Sequence, residues 1–138
     1  MLIHISQTSS APMYEQVVSE IQRLIAMGHM EPGEMLPSIR GLAKELMTSG
    51  ITIRRAYQGL EQSGFIYTRK GKGSFVAELS EARLNRWKIE QVQGPLSESI
   101  LKAKQLDLTE DQFHDLIKRF WEKADDDRQG GDTYGSER

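Results

Sequence analysis

The amino-acid sequence predicts a mostly α-helical protein with one small β hairpin, and three observations lead to this fold class. Apolar residues recur at helical spacing in several separate stretches. Glycine, proline and serine residues divide these stretches from one another. One region rich in β-branched and aromatic residues surrounds a glycine-bearing turn. The 138 residues suffice for one compact domain, or for a module with a helical appendage.

The composition excludes several classes of protein. Hydrophobic residues make up 38% and charged residues 28%, which is the range of globular rather than disordered chains. The absence of cysteine excludes disulfides, thiolate zinc sites and cysteine nucleophiles, and it fits the cytoplasmic location that we expect. Apolar runs are too short for a membrane span, and the first residues lack the basic and apolar regions of a signal peptide.

The first predicted helix begins after Pro12 and ends before Gly28. Its apolar stripe consists of Tyr14, Val17, Ile21, Leu24 and Ile25. Two shorter helices follow, capped by Ser38 and by Ser49 or Thr48. Their apolar faces consist of Ile39, Leu42, Ala43 and Leu46 in the second helix, and of Ile53, Ala56, Tyr57 and Leu60 in the third. Two helices joined by so short a turn form a helix-turn-helix pattern.

Polar side chains lie away from the apolar stripe of the third helix, at Thr52, Arg54, Arg55 and Gln58. Hydrogen-bonding and cationic groups on an outward face are suited to reading base edges and phosphates. An ordinary amphipathic surface helix would also carry arginine there. This feature alone therefore does not distinguish a DNA-reading helix from an ordinary surface helix.

The predicted hairpin consists of Phe65–Arg69 and Ser74–Ala77, joined by residues 70–73. Lysine and glycine alternate at its tip, where glycine allows close approach of a ligand and lysine supplies positive charge. An isolated hairpin of this kind could be an ordinary polar turn. Its position directly after a helix-turn-helix predicts a wing.

The charge distribution is uneven although the net charge is only −2. Residues 1–78 carry eight Lys and Arg against seven Glu, and residues 79–138 carry ten against thirteen acids. Residues 54–72 hold five basic side chains and one acid, Glu61. Such a local cluster can bind phosphates while the rest of the chain stays acidic, although a solvated basic face without a partner is the alternative.

The chain resembles the GntR family of bacterial regulators. The matching motifs are Pro12–Gln16, Leu36–Arg40, Thr52–Tyr57, and Gly64–Tyr67 running into Gly71–Val76. The resemblance covers roughly residues 1–78, the expected winged helix-turn-helix domain. The remaining sixty residues are too few for a large effector domain and are similar to the small YtrA-like branch.

The resemblance implies a sequence-specific DNA-binding transcription regulator with double-stranded DNA as its partner. It places DNA contacts at Arg40 in the second helix, at Thr52 and Arg54 in the third, and at Lys70 and Gly71 in the wing. Serine hydroxyls at two positions are either phosphate contacts or caps, and capping is the favoured role. The full expected DNA-binding set is Ser38, Arg40, Ser49, Thr52, Arg54, Arg55, Lys70, Gly71 and Lys72. We expect no metal and no cofactor.

The chain departs from the family between Leu46 and Thr52, where many members have Gly-Val-Ser-Arg-Asn. Here the sequence is Met47-Thr48-Ser49-Gly50-Ile51, so an arginine contact at position 50 is lost. Met47 in place of glycine predicts a different turn with a strained dihedral. The operator sequence therefore cannot be taken over by analogy.

Residues 79–124 are predicted to form a helical dimerisation segment, and residues 125–138 a disordered tail. Gly94-Pro95 should kink or end the first of its helices, and Thr109 with Gln112 should form a capping box for the next. The clearest apolar stripe in the chain follows, at Phe113, Leu116, Ile117, Phe120 and Trp121. It must pack either on the chain's own first helix or on a second copy, and the second copy is favoured. A dimer would read a near-palindromic operator.

Other functions compete with DNA binding. An enzyme is not expected, because His4, His29 and His114 are scattered and Gly71–Ser74 lacks the upstream glycine of a phosphate-binding loop. A winged-helix protein-interaction module without sequence-specific DNA binding is the alternative. Whether a small-molecule effector exists stays open. Repression is favoured over activation, since a compact dimer on a promoter would block polymerase.

Overall fold

The computed structural model describes residues 3, 5 and 9–136, with side chains described as far as Gln129. The order of the elements in this part of the chain is α1 (Met13–Ala26), α2 (Ile39–Glu45), α3 (Gly50–Gln62), β1 (Ile66–Arg69), β2 (Gly73–Val76), α4 (Glu81–Gln105) and α5 (Glu110–Ser136). No helix within these ranges combines the length and the apolar character that crossing a membrane requires.

The chain divides into two compact units, Met1–Lys88 and Ile89–Arg138. The division lies inside α4, ten residues beyond the predicted domain boundary at 78/79. Trp87 explains the difference, because its side chain is only 9% exposed and belongs to the core of the first unit. Its ring meets the ring of Phe65 edge-on at a centroid distance of 5.8 Å. The first turns of α4 thus belong with the winged domain.

The core of the first unit lies among α1, α2, α3 and the hairpin. Its fully buried large side chains are Phe65, Ile21, Leu42, Ile53, Leu60, Val17 and Val76. Each contributes about 1.5–3 kcal/mol by leaving water. The predicted stripe of α3 is buried throughout, whereas Tyr14, Ile39 and Leu46 of the other predicted stripes are only partly buried. These three lie at the edge of the core.

The hairpin is antiparallel, with Ile66 paired to Val76 and Arg69 to Gly73. Gly71 at its tip has a φ of 77°, a conformation that favours glycine. Backbone bonds also tie β2 to the segment before α2, where the Leu36 N–H donates to the Ser74 carbonyl at 2.9 Å. The wing is therefore held to the start of α2 by main-chain hydrogen bonds, independently of side-chain identity.

The turn between α2 and α3 contains a left-handed residue. Met47 has a φ of 53°, so the predicted strained dihedral is confirmed. The Thr48 N–H donates to the Ala43 carbonyl at 2.9 Å and the Met47 N–H to the Lys44 carbonyl at 3.3 Å. This pair of bonds is a Schellman motif, which normally has glycine where Met47 lies. The turn therefore carries the strain of a methionine in a position that glycine usually occupies.

Helix α4 runs through Gly94 and Pro95 without ending. A proline inside a helix costs about 3 kcal/mol, yet residues 88–102 are all exposed, so water reaches the backbone there. The helix ends instead at Gln105, and the turn that follows has Asp107 at a φ of 58° and a hydrogen bond from the Leu108 N–H to the Ala103 carbonyl at 2.9 Å. Of the two outcomes predicted at Gly94-Pro95, a kink or an end, the end is therefore not observed.

Helix α5 opens with the predicted capping box. The Gln112 N–H donates to Thr109 Oγ1 at 3.1 Å, and the Thr109 N–H donates to Gln112 Oε1 at 2.8 Å. The helix then continues to Ser136, so residues 125–136 are helical where the sequence predicted a disordered tail from 125. As far as Gln129 this is explained by the absence of glycine and proline from residues 113–129 and by the solvation of the acidic run at 125–127, whereas the propensities of the glycines at 130, 131 and 135 do not explain the last turns. Residues 137 and 138 lie outside the described residues.

We expect Met47→Gly to stabilise the protein by about 0.5–1 kcal/mol, because glycine removes the cost of a left-handed φ while adding some entropy to the unfolded chain. Urea unfolding of both proteins measures the difference. Met27 is a matched control, since it is also exposed and ends a helix, but with a φ of −89°. Met27→Gly should destabilise the protein. A loss of stability in both variants would contradict the strain at position 47.

Candidate nucleic-acid interface

Three exposed arginines, Arg40, Arg54 and Arg55, lie on the helix-turn-helix, and the first two have no partner of opposite charge among the described residues. Arg40 follows the first residue of α2, and Arg54 lies in the second turn of α3. The ion pair found among the described residues lies elsewhere, at Glu20–Arg23, and the other acid–base contact, Glu110–His114, does not involve Arg40 or Arg54 either. These two guanidinium groups thus keep their full charge toward solvent, as contacts to phosphates or to guanine would require.

The serines at the two helix starts act as caps. Ser38 Oγ accepts from the Gly41 N–H at 3.0 Å, and Ser49 Oγ accepts from the Thr52 N–H at 3.2 Å. The predicted capping role of both is confirmed. Ser49 Oγ also lies 2.9 Å from Thr52 Oγ1, and the Thr52 side chain is partly buried. The Thr52 hydroxyl therefore already has a partner inside the cap.

Arg55 is held by α1. Its guanidinium lies 3.8 Å from the centroid of the Tyr14 ring, and its Nη2 donates to Tyr14 Oη at 3.2 Å. Stacking of this kind contributes about 0.5–1 kcal/mol at an exposed site. Sequence reasoning placed Tyr14 in the core and missed this contact, and no local signal connects two residues that are 41 positions apart. Arg55 is consequently an exposed cation in a fixed place.

The wing tip shares a groove with the start of α2. This groove has a volume of about 430 Å³. It is lined by residues 35–39, Tyr57 and residues 68–74. It brings Ser38 together with Lys70, Gly71 and Lys72, whereas Arg40, Thr52, Arg54 and Arg55 lie outside its lining. At the wing itself, the Arg69 guanidinium lies 5.7 Å from the centroid of the Tyr67 ring.

Tyr57 connects α3 to the residue before the α2 cap. Its hydroxyl donates to the Pro37 carbonyl at 2.8 Å, and its side chain is buried. Burial raises the pKa of Tyr57, and the negative charge of Glu45 adds to the rise. Sequence reasoning assigned Tyr57 to the core but could not find its hydrogen bond, which joins residues 20 positions apart. The bond fixes where α2 begins relative to α3.

We expect Tyr57→Phe to destabilise the protein by about 1 kcal/mol at pH 7, because one buried hydrogen bond is lost. Above the usual tyrosine pKa of about 10, Tyr57 ionises in the unfolded chain but stays protonated when folded. Tyr57 therefore contributes less to the stability of the folded protein as the pH rises. The difference in free energy of unfolding between wild type and Tyr57→Phe should shrink from pH 7 to pH 11.

Urea unfolding of both proteins at the two pH values measures this difference. Tyr67→Phe is the control at pH 7, since the Tyr67 side chain is exposed and its loss should cost much less. A difference of equal size at both pH values would contradict the assigned effect of burial.

The described residues include no group of three histidine, cysteine or acidic side chains arranged to hold a metal ion. Of the scattered histidines, His29 is exposed, and His114 Nε2 lies 3.5 Å from Glu110 Oε1. His4 lies outside the described residues.

Comparison with known proteins agrees with this geometry. The family model described as bacterial regulatory proteins, gntR family, matches residues 13–76. The transcriptional repressor YtrA of Bacillus subtilis is 32% identical over 117 residues, which cover 85% of this chain and 90% of the relative.

Two solved structures are also similar. A GntR family transcriptional regulator from Listeria monocytogenes has a TM-score of 0.69 at 30% identity and covers 80% of this chain and 96% of its own. YtrA from Sulfolobus acidocaldarius, a GntR-family transcription factor, has a TM-score of 0.55 at 34% identity and covers 68% of this chain and 99% of its own. With the family model and the curated relative, these similarities confirm the winged helix-turn-helix fold and exclude an enzyme family. The chain therefore belongs to the gntR family of bacterial regulatory proteins and is a DNA-binding transcription regulator.

Proposed function

We propose that this regulator is a dimeric repressor that binds a near-palindromic operator through α3 and the wing. The observation that carries the proposal is the pair of exposed, unneutralised arginines, Arg40 and Arg54, on a helix-turn-helix followed by a wing with two lysines at its tip. The similarity to the repressor YtrA favours repression. Such a protein would act on chromosomal DNA, which places it in the cytoplasm.

The proposed DNA-binding residues have four roles. Arg54 projects from α3 into the major groove and reads base edges, since the second helix of the motif is the recognition helix. Arg40, and Arg55 on its Tyr14 support, bind phosphates. Lys70, Gly71 and Lys72 contact the backbone beside the neighbouring minor groove. Ser38, Ser49 and Thr52 contribute mainly by shaping the two helix starts.

We expect Arg54→Ala to weaken binding to the cognate operator by about 1–3 kcal/mol, and a double Arg40/Arg54 alanine variant to weaken it further. Fluorescence anisotropy with a labelled operator at several salt concentrations measures both effects. The logarithm of the binding constant falls as the logarithm of the salt concentration rises. Each lost phosphate contact should make this negative slope shallower by about one unit.

Arg128→Ala is the matched control, since it removes an exposed arginine from α5 and should leave affinity and slope unchanged. Equal affinity of the wild type and the double variant would refute the assignment. Binding of a partner protein without any salt-sensitive DNA binding would favour the protein-interaction module instead.

The proposed dimer rests on the composition of the second unit. Among its described side chains, only Ala103 is buried. Phe113 and Leu116 are partly buried, whereas Phe120 is 57% and Trp121 72% exposed. Two helices that bury so little apolar surface cannot compensate for the conformational entropy lost when they are ordered. A second copy that covers the stripe would supply the missing core, and Ile117 belongs to the same exposed edge.

A dimer also determines the operator geometry in this proposal. Two recognition helices related by a twofold axis reach half-sites about 34 Å apart, or a multiple of that distance.

An apolar groove of about 410 Å³ lies between the end of α4 and α5, lined by Ala103, Leu106, Leu116 and Phe120 among others. A small-molecule effector would compete with the second copy for this groove, and we favour the second copy because the stripe continues beyond the groove to Trp121.

We expect a Phe120→Glu/Trp121→Glu variant to be monomeric at concentrations where the wild type is a dimer. Four large apolar side chains per dimer would then fail to leave water, which raises the dissociation constant at least about a thousandfold. Sedimentation equilibrium measures this. Glu122→Gln, on the opposite face of α5, is the control and should leave the dimer intact. A monomeric wild type at tens of micromolar would contradict the proposal.

A further inference from the structure

The N-terminal turn of α3 presents an apolar side chain to solvent. Ile51 is the second residue of the helix after the Ser49 cap, and it is 79% exposed. A β-branched apolar residue gains little in a helix that it does not help to bury. The core of the first unit thus gives no reason for isoleucine at this position.

The neighbouring Gly50 leaves this side chain unscreened. A Cβ built at Gly50 would meet only Ile39 Cγ2, at 4.0 Å, which is ordinary van der Waals contact. Gly50 is not among the residues with a positive φ, so its backbone does not require glycine. The fold therefore tolerates a side chain at position 50, and its absence lets a partner approach Ile51 and the helix start closely.

The polar group at this end of α3 is already engaged. Thr52 Oγ1 lies 2.9 Å from Ser49 Oγ, and Thr52 is partly buried. The residues at the start of a recognition helix are those that meet base edges in the major groove. At the start of α3, the side chain most available for such contact is therefore the hydrocarbon of Ile51.

The major groove offers one apolar group, the C5-methyl of thymine. We propose that Ile51 is a specificity-determining residue that packs against the C5-methyl of one thymine in each operator half-site. The inference rests on the proposed binding of α3 in the major groove. Positive charge on the same helix, at Arg54 and Arg55, favours DNA over an apolar protein surface as the partner of this residue.

The test removes the methyl group alone. An operator is first selected from random duplexes with the wild-type protein, and each thymine is then replaced singly by deoxyuridine. One position per half-site should lose about fourfold in affinity, the equivalent of one buried methyl group. Replacing both symmetric positions should lose about sixteenfold, since separate sites add.

The Ile51→Ala variant completes a double-mutant cycle. It should bind the thymine operator more weakly than the wild type does and should bind the thymine and deoxyuridine operators equally well. Ile51→Val, which keeps a branched apolar side chain, should retain part of the sensitivity. Met27→Ala is the matched control, since it also truncates an exposed apolar side chain, and it should keep the full sensitivity.

Two outcomes would overturn the inference in distinguishable ways. If deoxyuridine is tolerated at every position, or if Ile51→Ala keeps the wild-type sensitivity, Ile51 does not read a thymine methyl, although α3 still binds DNA. If no duplex is enriched by the wild type at low salt, the inference falls together with the proposed function.

Discussion

The packing of α3 determines the rest of the site. Its buried stripe, Ile53, Ala56, Tyr57 and Leu60, holds one face of the helix against α1 and α2. Because the helix has 3.6 residues per turn, this choice leaves Ile51, Arg54, Arg55 and Gln58 on the outer face. A rotation by one residue would bury Arg54 without a partner, at a cost of several kcal/mol. The burial of one face of α3 in the core therefore also determines which side chains are exposed on its outer face.

Polar contacts near the connections then fix how the outer face is presented. The Tyr57 hydroxyl holds Pro37, and Ser38 and Ser49 cap the two helices. The backbone of the segment before α2 pairs with β2, which places the wing tip and the start of α2 on one groove. Most of these bonds engage the main chain, so the outward side chains are free to differ between family members. A common frame can thus carry different base-reading residues.

The sequence predicts what is local and misses what depends on distant neighbours. The helix stripes, the caps at Ser38 and Thr109, and the strain at Met47 follow from spacing over a few residues. The Arg55–Tyr14 stack joins residues that only the folded chain brings together. The predicted disordered tail is wrong for another reason. An acidic composition indicates a solvated segment but does not prevent a helix, and α5 continues through residues 125–136. At Ile51 the sequence showed a departure from the family, but only the structure shows the side chain exposed beside Gly50.

Because the chain has little net charge, the proposed DNA binding depends on the few basic side chains of the helix-turn-helix and the wing. Nonspecific DNA affinity grows with the number of neutralised phosphates, and this chain has a net charge of −2, with the acidic excess in residues 79–138. In the proposed complex, contacts to the DNA phosphates are then restricted to Arg40, Arg55 and the wing. In the same proposal, discrimination among DNA sequences comes from the start of α3, where Arg54 offers hydrogen bonds and Ile51 offers a hydrocarbon. Association through α5 would double that small set of contacts on one operator, so dimerisation and base reading are two parts of the same requirement.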